Sequence, residues 1–224
     1  MHNFSILNGD TDSITVYKSD GKEFTSTERQ NLLQELNSIS PVGLTWEDDG
    51  YFSHVLVVKA KNYYLETPTG EIKIRGSALK CSMKEPALKE FVQKFIQTIV
   101  HGTIEDSVNL YHQYCREIMG LMDISRWCSR KTVTASVLSP ERTNEQKVLD
   151  AIGDEDVQEG DKLSVFFAVD GSLKLQENWV ADHDPYKLLE KLWKTVSIFG
   201  TVIDVKLFTK YHLKKQRELL DKIR

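Results

Sequence analysis

Cysteine is scarce: Cys81, Cys115 and Cys128 are odd in number and widely spaced in a chain of 224 residues, which excludes a disulfide framework and paired C-x-x-C zinc knuckles. Reduced, mostly buried thiols are the expectation. Long apolar runs are missing too. Stretches such as Val55 to Val58 fall far short of the roughly 20 residues a membrane span requires, and the first residues carry no basic segment followed by an apolar one. A basic excess is also lacking, since 29 Lys and Arg against 33 Asp and Glu leave a net charge of −4. That excludes a uniformly basic coat for nucleic acid but not local patches. There is no internal repeat, no low-complexity segment and no G-x-x-x-x-G-K-S/T phosphate cradle. What is present, 40% hydrophobic and 28% charged residues, is the composition of one large or two small globular domains.

The order of the chain gives an α+β pattern. Phe4 to Leu7 and Ser13 to Tyr17 flank Asn8-Gly9-Asp10-Thr11-Asp12, which predicts a hairpin turning at Asn-Gly or just beyond. Ser26 or Thr27 would cap a helix carrying Leu32, Leu33 and Leu36 on one face, ended by Ser40-Pro41. From Leu44 to Gly76, turns alternate with the runs Phe52 to Val58, Tyr63 to Leu65 and Glu71 to Ile74, read as antiparallel strands, with Trp46 to Gly50 as a hairpin turn. The period then changes. Pro86 opens a helix with Phe91, Phe95, Ile96 and Ile99, and Ile104 to Met122 forms a second with Val108, Tyr111, Tyr114, Cys115 and Ile118 on its buried side, the two packing as a hairpin. Further strands are expected at 131 to 138 and 162 to 169, a solvated acidic loop from Asp150 to Asp161, and a helical end from Pro185 with Leu188, Leu189, Leu192, Trp193 and Val196 as its stripe. The shift from strands to helices at 76 to 85 marks the expected domain boundary. Trp46, Trp127, Trp179 and Trp193 are read as packing residues. His101, His112 and Cys115 lack the spacing of a zinc site, and Ser13 has no neighbouring base that would make it a nucleophile.

The chemistry concentrates in Asp10 and Asp12. Separated by one residue, their carboxylates would project to the same side of an extended backbone, with Thr11 pointing away. Like charges held that close call for a counter-ion, and hard oxygen ligands suit Mg²⁺, which keeps several waters and shares substrate phosphate oxygens. The alternative is an Asp-rich turn that binds nothing.

Gly9-Asp10-Thr11-Asp12-Ser13 between two apolar strands resembles the palm motif of family B DNA polymerases, a G-D-T-D-S hairpin presenting metal-binding carboxylates. About 50 residues further on, Ala60-Lys61-Asn62-Tyr63 resembles the family's K-K-R-Y motif, followed by Ile74-Arg75-Gly76 in place of V-K-G or I-K-G and by Lys84-Glu85-Pro86 opening the thumb. The likeness is sharp over residues 3 to 90. It is looser beyond, where Gly160-Asp161-Lys162-Leu163 and His183-Asp184-Pro185-Tyr186 are similar to late thumb patterns. The resemblance implies a partial antiparallel palm sheet over 1–80 followed by a mostly helical thumb over 81–224. It implies that Asp10 and Asp12 are catalytic metal ligands, Asp12 touching both of two Mg²⁺ ions, with Gly9, Thr11 and Ser13 supporting the hairpin. Lys61 would contact the minor-groove edge of the primer-terminal pair and Tyr63 would support the primer strand. Lys59, Arg75 and Lys80 belong to the surrounding patch, in which residues 59 to 84 hold six Lys or Arg against two acids.

The departures are specific. Asn8 replaces the aromatic before the glycine, Ala60 the first basic residue of the second motif and Asn62 its arginine, so two positive charges near the primer are missing. The family's second metal-binding carboxylate lies in an earlier palm strand and its triphosphate grip in a fingers helix; nine residues precede Asp10 and hold neither. Glu47, Asp48 and Asp49 are the nearby acids, but they read as turn residues. The expectation is therefore the small subunit of a split polymerase of phage or archaeal type, in the cytoplasm of a prokaryotic or infected cell. A larger chain would carry exonuclease, fingers and the first half of the palm, and the partners would be primer-template DNA and deoxynucleoside triphosphate. An incomplete sheet leaves an open edge for that chain. A second basic run, Lys206 to Arg224 with seven Lys or Arg against two acids, could follow duplex phosphates. Two other functions remain: a non-catalytic duplex-binding module, and a nucleotide-sugar glycosyltransferase, which would need a nucleotide-binding α/β unit ahead of its D-x-D.

Overall fold

Hairpins dominate the first third of the chain because short β-branched and aromatic runs are punctuated by Gly, Asn and Asp, and long helices follow where the apolar period lengthens. The computed structural model describes residues 4–81, 84–133 and 158–208. The fold is α+β, in two units, Met1–Arg75 and Gly76–Arg224.

In the first unit, β1 (Phe4–Asp10) and β2 (Ser13–Lys18) form an antiparallel pair, followed by α1 (Ser26–Ile39) and a three-stranded antiparallel sheet of β3 (His54–Lys59), β4 (Asn62–Glu66) and β5 (Ile72–Arg75) in that order. The first hairpin turns just beyond Asn-Gly, at Thr11-Asp12, between the paired Asp10 and Ser13. Two register shifts were not predicted: Leu7 is an extra residue between Ile6 and Asn8, and Val58 between Val57 and Lys59. Each is a bulge that bends its strand just before a turn.

The cap of α1 is Thr25 rather than Ser26 or Thr27. Its hydroxyl accepts from the Glu28 backbone N–H at 3.2 Å, and Glu28 reaches back to the Thr25 N–H at 2.8 Å. The reason is reciprocity, since only Thr25 has a carboxylate three residues on to close the capping box. Lys18 donates to the same carboxylate at 2.8 Å, and these bonds, Lys18 first, pull the Glu28 pKa down to about 2. A folded value below the unfolded one stabilises the fold above the ordinary glutamate range and ceases to do so as pH falls toward 2. NMR titration of Glu28 should therefore give a midpoint near 2, and Lys18→Gln should raise it toward that of a free glutamate. A midpoint unmoved by Lys18→Gln would remove the strand–helix contact as its cause.

Trp46 to Gly50 is a loop and not the predicted hairpin turn. Asn37 ties it to α1 by accepting from the Trp46 N–H at 2.7 Å and donating to the Trp46 carbonyl at 3.0 Å, while the indole N–H donates to Ser40 at 2.8 Å. A helix side chain thus replaces a strand partner.

The second unit contains the short α2 (Ser77–Cys81), then α3 (Pro86–His101), α4 (Ile104–Met119), a three-stranded antiparallel sheet of β6 (Ser129–Thr132), β7 (Lys162–Phe167) and β8 (Leu173–Leu175), and α5 (Pro185–Ser197). The helix α4 stops at Gly120, short of Met122, whose side chain is exposed. Phe91 and Phe95 on α3, Tyr111 and Tyr114 on α4, Trp127, Phe199 and Phe208 form one aromatic core with ring centroids 5.0–6.5 Å apart. Each such side chain contributes on the order of 1.5–3 kcal/mol by leaving water. Cys115 and Cys128 are buried thiols, and burial pushes the Cys128 thiol up to about 11. The expected strand residues 134 to 138, the acidic stretch 150 to 157 and the basic residues 209 to 224 lie outside the described residues, as do the side chains of Lys80 and Cys81.

Candidate active site

Asp10 ends β1 with its side chain 24% exposed, and Asp12 stands exposed in the two-residue turn. The extended geometry expected for the pair is not what forms. Thr11 adopts φ +56°, so the chain reverses between the two aspartates, and the Thr11 hydroxyl, rather than pointing away, donates to Asp10 Oδ1 at 3.3 Å. The two-residue turn imposes this, because closing the Asp10–Ser13 pair demands a left-handed residue inside it. Ser13 donates through its hydroxyl to the Asp10 carbonyl at 3.1 Å and fixes the other side of the turn. Gly9 is ordinary strand here, and a Cβ added to it would meet only the Ser13 carbonyl oxygen, at 4.0 Å.

The second motif forms another two-residue turn, Ala60-Lys61, between the paired Lys59 and Asn62. Lys61 also takes a left-handed backbone, φ +60°. Its ammonium lies 3.5 Å from Asp10 Oδ1 and donates to the Thr11 hydroxyl at 3.4 Å, so two motifs some 50 residues apart meet through side chains. Asn62, where the family motif has arginine, is 4% exposed and donates to the Ala60 carbonyl at 2.9 Å. The substitution exchanges a charge for a turn-closing hydrogen bond.

Tyr63 is half-buried on β4, opposite Val57 on β3 and Arg75 on β5, and Lys59 and Arg75 end their strands with exposed side chains. Among the described residues no ion pair joins Lys59 or Arg75 to Asp10 or Asp12. Lys80 lies in α2, in the second unit. Asp48 pairs with Arg29 at 3.1 Å and accepts from the Gly50 N–H at 3.1 Å, so its role is in the loop.

The donor set at the turn suits a divalent ion. Two carboxylates and the Thr11 hydroxyl are hard oxygens, Asp12 has no hydrogen-bond or ion-pair partner among the described residues, and a small cation in this chemistry keeps its remaining positions for water or phosphate. Asp10 and Asp12 would hold it.

The two later patterns resolve into local structure. Asp184 caps α5 by accepting from the Tyr186 and Lys187 N–H groups at 2.9 and 3.2 Å, with Pro185 in the first turn. His183 accepts from the Trp179 indole at 3.4 Å, and burial lowers its pKa. Gly160, at φ +100°, sits in the turn entering β7. Sequence reasoning missed a cluster elsewhere in the second unit, in which the buried Glu85 carboxylate accepts from Ser129 and Lys191. No local signal announces it, because the three residues lie 44 to 106 positions apart.

No protein-family model and no curated protein sequence matches the chain. Among solved structures it is similar to the family B DNA polymerase from the hyperthermophilic archaeon Pyrobaculum calidifontis, with a TM-score of 0.63 and 16% sequence identity over 89% of this chain and 27% of that chain. At this identity the likeness is one of fold. The fold is similar to that of a segment of that polymerase, and the chain spans about a quarter of that polymerase's length.

Proposed function

We propose that this chain is the palm-and-thumb part of a family B DNA polymerase and works in Mg²⁺-dependent nucleotidyl transfer together with a larger chain carrying the rest of the palm and the fingers. The observation that carries the reading is the meeting of Lys61 with Asp10 and Thr11, which gathers both polymerase-like motifs at one pair of turns. Asp10 and Asp12 hold metal, Lys61 and Tyr63 face the primer terminus, and Lys59 and Arg75 offer further cations to the strand. The bound ion supplies charge neutralisation at the phosphate oxygens. The chain's own part is to place the carboxylates at a hydrogen-bonded turn and to offer cations to the nucleic acid.

A partner chain is supported by the β1–β2 pair, which has no third strand among the described residues. Ile6, Leu7 and Tyr17 on it are 64%, 41% and 46% exposed. Two strands alone make a marginal sheet. The test is a tagged pull-down of the full chain from its native cells, with the eluate assayed for primer extension in Mg²⁺. Extension together with a co-purifying large chain is the expected result. A chain that binds primer-template DNA salt-dependently, with no partner and no extension, would overturn the catalytic reading in favour of a duplex-binding module.

A further inference from the structure

Lys61 is bound where a metal ion would be needed. Its ammonium is 3.5 Å from Asp10 Oδ1 and 3.4 Å from Thr11 Oγ1, and Thr11 in turn donates to the same Asp10 oxygen at 3.3 Å. Both turns reach this arrangement through non-glycine residues at φ +60° and +56°, a conformation that L side chains avoid. The Lys61 side chain is 69% exposed while Asp10 is 24% exposed, so the ammonium comes in from solvent to a carboxylate that has already lost much of its water. Asp12, the other acid of the turn, has no such partner among the described residues.

We infer that Lys61 is a positioning residue that serves as the resident counter-ion of Asp10: it holds that carboxylate in place until a divalent cation displaces it, and so sets the affinity of the turn for the ion. This rests on the reading of Asp10 and Asp12 as metal ligands. A cation entering the turn must break the Lys61–Asp10 pair, and the same carboxylate oxygen cannot serve both fully. Lys61 therefore weakens ion binding by the worth of an exposed ion pair, and in exchange neutralises Asp10 while the turn is empty. By reciprocity, an ion in the turn loosens Lys61 and frees its ammonium for another acceptor.

The test uses Mn²⁺ as the probe, with free ion counted by electron paramagnetic resonance in the full chain at low ionic strength. Lys61→Gln is expected to bind Mn²⁺ on the order of two- to five-fold more tightly than the wild type, the range of an exposed pair, and Lys61→Arg to match the wild type. Adding Asp10→Asn to Lys61→Gln is expected to erase the gain. Lys59→Gln, which removes the same charge two positions away, is expected to give less than half of it. Equal Mn²⁺ affinity in wild type and Lys61→Gln overturns the inference and leaves the metal reading standing, as does an equal gain from Lys59→Gln. Mn²⁺ binding that is absent from every variant, or indifferent to both aspartates, overturns the metal reading and this inference with it.

Discussion

On the function proposed above, Asp12→Ala is expected to lower primer extension by the chain together with its proposed partner at least about 100-fold and to leave the fold of the chain unchanged. The two halves of that expectation have separate causes. A carboxylate shared by two ions neutralises charge at both the attacking and the leaving oxygen, and removing one such preorganised group from a transition state costs about 2.7 kcal/mol or more, a factor of about 100. Asp12 has little structural work to lose. It is exposed in the two-residue turn, it has no hydrogen-bond or ion-pair partner among the described residues, and the left-handed position is taken by Thr11. Substitutions at such surface sites change stability by about 0.5 kcal/mol or less. Asp10→Ala differs because it also releases Thr11 and Lys61. Single-turnover extension in Mg²⁺ and far-ultraviolet circular dichroism on the same sample check both halves. Extension within two-fold of wild type would remove Asp12 from the metal set.

The hairpins were legible because turn chemistry is local. Asn8 to Asp12, Pro68 to Gly70 and the alternating runs between them suffice to order the five strands of the first unit, and Pro86 opens α3 in the same way, whereas α4, expected to run to Met122, already stops at Gly120. Local reasoning failed where a backbone deviates by one residue or where the partner is distant. The bulges at Leu7 and Val58 leave no mark in the hydrophobic pattern. The positive φ at Thr11 and Lys61 contradicts the propensity of those residues, and it is the turn closure on either side that imposes it. The resemblance chose Asp10, Asp12 and Lys61 by motif, but no spacing argument could have predicted that Lys61 pairs with Asp10. Asn62 looked like a lost charge and proves to be a buried hydrogen-bond donor. The thumb-like patterns near residues 160 and 184 were noticed for their likeness, and the structure accounts for them as a turn and a helix cap.

Glu85→Ala is expected to destabilise the second unit by about 3–5 kcal/mol, the cost of leaving one member of a buried ion pair alone. In a chain of this size that lowers the melting temperature by on the order of 10 °C. Glu85 is 3% exposed at the start of α3, and its carboxylate accepts from the Ser129 hydroxyl on β6 and from the Lys191 ammonium on α5, while Lys191 also donates to Ser129 at 3.2 Å. One carboxylate thus ties two helices and the sheet together. Its removal takes from the Ser129 hydroxyl, on a residue 8% exposed, the acceptor of its proton, and from the Lys191 ammonium, on a side chain 33% exposed, its counter-ion. The partial exposure of Lys191 decides the size of the effect. An ammonium that can turn to water recovers its hydration and brings the loss toward the lower end, whereas Phe167, with its ring centroid 5.9 Å from Nζ, helps hold the ammonium over the sheet. Replacing both partners, Glu85→Leu with Lys191→Met, should cost less than Glu85→Ala alone, because an apolar pair of similar volume leaves neither charge behind. Urea unfolding of the single and double variants gives the coupling directly. A Glu85→Ala loss below about 1 kcal/mol would mean that Lys191 leaves with its charge, and that the aromatic core of α3 and α4 alone holds the unit together.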